Sequence, residues 1–203
     1  ALEYDLAKEI DGQAAATEIA RHELYGCTGA EMVQEMKPYF TDFPNVKNNC
    51  LRFEVSPSIE ESSSFTDTDW AELGNDFMQR MGLMNHQYII IKHSGTESKK
   101  KQAHLHILAN RISLSGELYR DNWIGKRATE AANAIAKERD FVQSQDIGKA
   151  NKAEIKEAMN EVLKKLQGFD LAKFQKELGK LGFKVREARA STGKLNGYYV
   201  TAR

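Results

Sequence analysis

The chain has 203 residues with 29 basic and 29 acidic side chains, so its formal net charge is zero. This length suits one domain with an appendage, or two small domains, and is enough to bury a substantial core. The charge balance excludes a protein that is basic overall, so any nucleic-acid contact must come from local clusters. The sequence has no run of about 18 apolar residues and no signal-peptide pattern, which predicts a soluble protein without a membrane partner.

Cysteine usage and missing motifs narrow the class further. Cys27 and Cys50 are too few for a disulfide framework and match no metal-ligand spacing. We therefore expect free thiols and a cytoplasmic location. The sequence has no Walker-type phosphate loop and no glycine-rich dinucleotide fingerprint, so nucleotide-driven enzymes and dehydrogenases are excluded.

The amino-terminal segment has the apolar spacing of a helix. Leu2, Leu6 and Ile10 recur at helical intervals, and Tyr4 lies near the start. The first residue is Ala1 rather than methionine, which indicates a trimmed piece or a removed leader. We expect one helix over this segment.

Four elements are predicted before the central hairpin. A weak strand signal lies between Gly12 and Cys27. Thr28 and Glu31 have the spacing of a capping box, which begins a helix over residues 29–39. Residues 50–55 alternate as CLRFEV and predict a strand. A longer helix with a glycine stop and a buried tryptophan is predicted from apolar residues at helical spacing: Trp70, Leu73, Phe77 and Met81.

The strongest pattern lies between residues 87 and 112, which read QYIIIKH, then SGTESKKKQ, then AHLHILANRI. The apolar runs predict two strands of a hairpin that are joined by a long loop. Because side chains alternate across a strand, His104, His106 and Asn110 share one face. His93 ends the first strand where the second strand begins. The hairpin therefore brings three imidazoles together.

Three imidazoles that converge from adjacent strands can hold one divalent cation and leave positions open for substrate or water. A single histidine in a strand is more often structural, but three together favour ligation. Imidazoles suit Mn, Zn or Ni, whereas phosphate chemistry commonly uses Mg, so the metal identity stays open, with Mn or Mg favoured. Asn110 is a candidate to orient a ligand or a bound phosphate. Glu97, the acidic residue of the connecting loop, is a candidate to touch the metal directly or through water.

After Ile112, residues 117–120 are predicted to form a short strand, and Asp121 or Asn122 is predicted to cap a following helix that buries Trp123. Residues 141–151 are polar and unpatterned. They predict a boundary between a first domain, residues 1–142, and a small subdomain, residues 151–203. In the subdomain, two amphipathic helices and two strands around STGKLNG predict a helix-helix-hairpin appendage.

The run HLHILANRI, preceded by an apolar strand that ends in histidine and followed by a Ser-Gly turn and a helix, resembles the relaxase and mobilisation-nuclease family. These are HUH-type endonucleases that nick one DNA strand at a transfer origin. The resemblance extends over most of the chain. It implies a bacterial enzyme of plasmid mobilisation or conjugation. It also implies a partner, single-stranded origin DNA with a hairpin, and accessory mobilisation proteins.

The same resemblance implies that Tyr4 is the nucleophile, because the family's tyrosine lies near the start of an amino-terminal helix. A tyrosine oxygen can attack phosphorus and survive as a covalent ester, and a phenol of pKa about 10 can leave again. The implied products are a 5′-phosphotyrosyl adduct and a free 3′ hydroxyl. In such relaxases a sheet strand precedes the tyrosine, and this sequence has none before Tyr4. The alternative is that Tyr4 only packs on the sheet.

Basic clusters are the candidate DNA contacts, although a solvated surface explains such charge equally well. They lie in the connecting loop, near the helix after the hairpin and in the final hairpin: Lys99, Lys100, Lys101, Arg120, Lys126, Arg127, Arg186, Arg189 and Lys194. Lys184, Tyr198 and Tyr199 of the final hairpin also suit phosphate contact and base stacking.

The expected fold is α+β, with a mainly antiparallel central sheet flanked by helices and the histidines on its open face. Two other functions stay open. One is an HUH-type replication initiator or transposase, which differs in the DNA sequence that it cuts. The other is a non-catalytic DNA-binding module in which the histidine cluster is structural.

Overall fold

The computed structural model is an α+β protein and forms two compact units, residues 1–142 and residues 143–203. Each unit has its own sheet and its own hydrophobic core. The residues that the structure describes are 5–6, 9–10, 13–94 and 102–202.

The first unit is built on a four-stranded antiparallel sheet. Its strands lie side by side in the order β3-β5-β6-β4, and a separate ladder joins β1 to β2. The strand bounds are β1 (Glu9–Ile10), β2 (Gln13–Ala14), β3 (Ala16–His22), β4 (Cys50–Val55), β5 (His86–His93) and β6 (His104–Ser113).

The helices of the first unit begin where side chains cap their free backbone N–H groups. Thr28 and Glu31 form the predicted capping box, and two further helices begin with the same arrangement. Gly82 ends the longest of these three helices with a φ of 71°, which glycine adopts without strain. The helix bounds are α1 (Gly29–Met36) with a 3-10 turn (Lys37–Phe40), α2 (Ile59–Ser62), α3 (Asp67–Met81) and α4 (Ile124–Glu138).

The larger core lies between one face of the sheet and helices α3 and α4. Trp70 is buried there, which confirms the sequence prediction. Gly74 of α3 faces β5, and a Cβ atom at that position would lie 2.7 Å from Cδ1 of Ile90. Glycine therefore allows the helix to approach the strand closely. The sheet contributes Leu51, Phe53, Val55, Tyr88, Ile90, Leu105, Ile107 and Ala109 to this core.

The opposite face of the sheet is also covered over its middle, so the expected open face is wrong. Ile89, Ile91 and Leu108 pack there against Leu24 and two methionines of α1. Because both faces of β5 and β6 are buried, β5 reads as a continuous apolar run instead of an alternating one. The histidines lie at one end of this second face.

Four local predictions were wrong. Residues 117–120 form a single bridge, at Leu118, instead of a strand. Asp121 does not cap α4, because its carboxylate accepts a hydrogen bond from Nη2 of Arg111 at 2.7 Å. Trp123 has a φ of 55° and is 81% exposed, so it is not part of the core. The predicted opening helix does not reach residue 10, which belongs to β1.

The second unit consists of α5 (Ser144–Lys165), α6 (Leu171–Lys180) and an antiparallel pair, β7 (Phe183–Arg189) and β8 (Leu195–Ala202). As predicted, it is a helix-helix-hairpin arrangement, in which Asp170 caps α6. Residues 144–151, predicted to be unpatterned, are helical. The side chains described there are largely exposed, so this part of α5 needs no apolar stripe.

In the part of the chain that the structure describes, no helix combines the length and the hydropathy needed to cross a bilayer.

Candidate metal centre

Strand pairing brings the three histidines to one end of the sheet. His93 of β5 lies directly opposite His104 of β6, and His106 pairs with Ile91 on the same face. The ring centroids of His93 and His106 are 4.2 Å apart, those of His104 and His106 are 4.9 Å apart, and those of His93 and His104 are 5.5 Å apart. The three rings therefore form one cluster.

The histidine cluster has the spacing and the burial of a ligand set. Each imidazole offers one nitrogen, and these atoms all lie within 4.8 Å of one another. Imidazole–zinc bonds are about 2.0–2.1 Å long, so two nitrogens on one cation are at most about 4.2 Å apart. Small ring movements therefore suffice to hold a cation. The three residues are at most 6% exposed, and water is largely excluded.

Backbone carbonyls orient two of the rings. Nε2 of His93 donates to the carbonyl oxygen of Asp5 at 2.7 Å, and Nδ1 of His104 donates to that of Gln102 at 3.1 Å. A carbonyl only accepts, so these two nitrogens carry the protons. In the neutral rings, the lone pairs are on Nδ1 of His93 and Nε2 of His104. The carbonyls thus select one tautomer for each ring.

The third ring lies beside an ion pair. Arg52 binds the carboxylate of Asp5 through two nitrogens, with an Nη2–Oδ1 distance of 2.8 Å and an Nε–Oδ2 distance of 3.2 Å. The same Nη2 donates to Nδ1 of His106 at 2.6 Å, and Oδ1 of Asp5 is 3.6 Å from that nitrogen. The Asp5 side chain is fully buried, whereas that of Arg52 is 48% exposed. Arg52 therefore links the buried cluster to solvent.

Burial holds His106 in the neutral form. The pKa of His106 is lowered to about 4. Loss of solvent is the largest cause of this shift, and the nearby charge of His93 is the second. Asp5 acts in the opposite direction, and Arg52 and His104 reinforce the lowering. A neutral imidazole is the form that binds a metal. The hydrogen bond from Arg52 leaves the proton of the neutral ring on Nε2, so Nε2 can become a ligand only when that proton moves to Nδ1.

Sequence reasoning missed Asp5 and Arg52. The alternation in CLRFEV does place Arg52 and Glu54 on the face opposite the buried Leu51, Phe53 and Val55. No local pattern, however, indicates that β4 pairs with β6, which sets Glu54 opposite His106. Asp5 had no signal beyond its place next to Tyr4.

Asn110 lies on the histidine face but at its other end. Its amide donates to Oε1 of Gln87 at 2.9 Å, and its Oδ1 accepts from the backbone N–H of Ile112 at 2.9 Å. Four residues separate it from His106, which is about 13 Å along a strand. The expectation that Asn110 orients a ligand or the phosphate is therefore wrong in position, because the residue serves the backbone there.

The basic cluster expected near the site lies elsewhere. Helix α4, which carries Lys126 and Arg127, packs on the sheet face opposite the histidines. Arg127 donates to the backbone oxygen of Arg120 at 2.8 Å and covers the ring of Tyr119 at 4.8 Å. This is a structural role for Arg127. The expectation of a DNA-contacting cluster beside the histidines is corrected for Arg120, Lys126 and Arg127.

Several candidate residues lie outside the described part of the chain. They are Tyr4, Glu97 and the lysine run Lys99, Lys100 and Lys101. In the second unit, the guanidinium of Arg189 binds the carboxylate of Glu187 and the carbonyl oxygen of Gly193. Arg186 and Lys194 have exposed side chains.

The fold and the site together define a class: an α+β domain with three converging imidazoles on an antiparallel sheet. Residues 4–141 match the family model described as "Relaxase: MobA/VirD2-like, nuclease domain". This match covers more than half of the chain, and the chain belongs to that relaxase family of DNA-nicking enzymes. Comparison with curated proteins and with solved structures gave no match.

Proposed function

We propose that this chain nicks single-stranded DNA at a transfer origin, in plasmid mobilisation or conjugation, with Tyr4 as the nucleophile and residues 1–142 as the nicking domain. The phenol oxygen of Tyr4 forms a bond to phosphorus while the bond from phosphorus to the 3′ oxygen breaks. The phenol proton passes to solvent, and the leaving 3′ oxygen gains a proton. The products are a 5′-phosphotyrosyl adduct and a free 3′ hydroxyl.

The convergence of three buried imidazoles within the relaxase match is the observation that carries this proposal. A divalent cation held by His93, His104 and His106 would supply Lewis-acid stabilisation of the charge that develops on the scissile phosphate. The tautomers selected by the carbonyls of Asp5 and Gln102 suit this role, because each leaves one ring nitrogen as a ligand. We favour Mn or Mg as the metal, with Zn or Ni as alternatives.

Asp5 contacts two of the three histidines. Its backbone oxygen binds His93, and its carboxylate lies 3.6 Å from Nδ1 of His106. When Nε2 of His106 binds a cation, its Nδ1 carries a proton, and the Asp5 carboxylate is the acceptor at hand.

Arg52 is suited to meet the DNA. Its side chain is about half exposed and lies against His106, so an approaching phosphate reaches a guanidinium at the border of the site. We propose that Lys99, Lys100 and Lys101 add phosphate contacts in the connecting loop, with Glu97 near the cation. A DNA hairpin beside the nick and accessory mobilisation proteins complete the proposed assembly in the bacterial cytoplasm.

The test is capture of the covalent adduct. The chain is incubated with MnCl₂ and a single-stranded pool of randomised sequence that carries a 3′ fluorophore, because the fragment 3′ of the nick stays on the protein. We expect a fluorescent band that survives SDS, and sequencing of the captured fragments then gives the preferred site. Addition of EDTA should abolish the band.

Variants assign the nucleophile. Tyr4→Phe should remove the adduct while sparing DNA binding, because only the attacking oxygen is lost. Tyr25→Phe is the matched control, since Tyr25 is 76% exposed and its hydroxyl donates to the carboxylate of Glu23. An adduct that persists in Tyr4→Phe contradicts the assignment. Unchanged DNA binding without any metal binding would instead identify a non-catalytic module.

A further inference from the structure

The hairpin of the second unit has two different faces. Phe183, Val185 and Val200 point inward and pack in the core with α5 and α6. The alternate residues point outward, and strand register pairs them across the hairpin. We call this set the outer hairpin face: Lys184 with Thr201, Arg186 with Tyr199, and Ala188 with Gly197.

The composition of the outer hairpin face is one-sided. It contains two cations and an aromatic ring at its centre, and it has no carboxylate. Tyr199 is 66% exposed, and its side chain has no hydrogen bond or ring contact among the described residues. Its neighbours Ala188 and Gly197 are small residues, so they do not cover the faces of the tyrosine ring.

Three basic residues of the second unit are engaged in ion pairs. Arg189 is bound to Glu187, and Lys165 and Lys180 are bound to glutamates on their own helices. Among the described residues, no carboxylate pairs with Lys184 or Arg186. Their charges are therefore available to an anionic partner. The packing of the inner hairpin face against the core fixes the strands on which these two residues lie.

We infer that the outer hairpin face binds single-stranded DNA, with a base stacked on Tyr199 and phosphates on Arg186 and Lys184. An exposed ring gains stacking only from an unpaired base, because a duplex hides the faces of its bases. The unpaired cations suit the phosphate backbone. The inference rests on the proposed function only for the choice of DNA over RNA. It adds a second contact surface outside the nicking domain.

Fluorescence anisotropy with the full chain tests this surface. The probes are a fluorescein-labelled 20-nucleotide oligo(dT), a duplex of the same length and an oligo(rU) of the same length. Tyr199→Ala should weaken oligo(dT) binding about tenfold, whereas Tyr199→Phe, which keeps the ring, should bind normally. Arg186→Ala should reduce the slope of log affinity against log salt concentration by about one, which corresponds to one lost phosphate contact. Arg189→Ala should have a smaller effect, because that guanidinium is engaged within the hairpin.

Controls separate this surface from a general loss of structure. Tyr25→Ala removes another highly exposed tyrosine, in the first unit, and should bind oligo(dT) as the parent chain does. Circular dichroism confirms that each variant is folded. Normal oligo(dT) binding by Tyr199→Ala overturns the inference. So does an equal loss of duplex binding, or oligo(rU) binding that is as tight and as dependent on Tyr199.

The result is independent of the nicking chemistry. In EDTA, where no adduct should form, the parent chain should still bind oligo(dT) and Tyr199→Ala should still weaken this binding about tenfold. If the parent chain forms no adduct while the Tyr199 dependence remains, the proposed function fails and the DNA-binding face stands. If the adduct forms and Tyr199→Ala changes nothing, the reverse holds.

Discussion

The two ends of one sheet face both bury polar side chains, but in different ways. At one end, three imidazoles form a cluster, in which His93 bonds to the backbone of Asp5 and His106 bonds to Arg52. At the other end, Asn110 exchanges hydrogen bonds with Gln87 and with the backbone of its own strand. Polar groups that satisfy one another stabilise a fold, whereas imidazoles that lie together can serve as metal ligands. Burial alone therefore does not distinguish structure from function.

The largest expected effect comes from the histidine end. His104→Ala should weaken Mn binding by more than about 100-fold, because it removes a ligand rather than a supporting group. Isothermal titration calorimetry measures the affinity, and the SDS-resistant adduct reports the chemistry. Retention of Mn affinity in this variant would show that the cluster is structural.

A substitution at the Asn110 end of the sheet face should lower stability without changing the affinity for Mn. Asn110→Ala leaves the N–H of Ile112 and the amide of Gln87 buried without their partner, which should lower the free energy of unfolding by about 2–3 kcal/mol. Urea denaturation measures this loss. Mn affinity should equal that of the parent chain, and a parallel loss of affinity would remove the distinction between the two ends.

The ion pair beside His106 gives a smaller and asymmetric effect. Asp5→Asn should weaken Mn binding about tenfold, because the acceptor for the Nδ1 proton loses its charge. Arg52→Met should not weaken it, since it removes a cation 2.6 Å from His106. Arg52→Met instead leaves a buried carboxylate alone and should cost about 1–2 kcal/mol of stability, a figure reduced for the exposure of Arg52. Equal metal affinities in the two variants would contradict this arrangement.

The smallest expected effect is a change in the pH dependence of stability when His86 is replaced. Burial lowers the pKa of His86, against the effect of its hydrogen bond to the carbonyl of Asn110. The unfolded chain therefore takes up this proton at a higher pH than the folded chain. The stability from neutral His86 is complete above about pH 6.5 and is lost as the pH falls below it. His86→Asn should flatten the fall in unfolding free energy between pH 7.5 and pH 5.5, measured by urea denaturation. A variant as steep as the parent chain would assign the dependence to other groups.

Local patterns in the sequence determined the elements and the faces of the strands. The alternation in CLRFEV and in AHLHILANRI predicted which side chains share a face, because the period of a strand depends only on its own backbone. The capping box at Thr28 and the glycine stop at Gly82 were equally local. The same periodicity predicted that the three histidines lie at one end of the hairpin.

Tertiary structure alone decided which partners those faces meet. Asp5 and Arg52 are 47 residues apart, and no periodicity in either segment records their ion pair. Asp121 has a residue type that caps helices, but its carboxylate binds Arg111 instead. Lys126 and Arg127 were predicted to lie near the histidines, but their helix α4 packs on the other face of the sheet. Such contacts depend on the order of the strands in the sheet, and the free energy of the whole fold determines that order. A local pattern determines the conformation of one segment, whereas the tertiary structure determines which segments contact it.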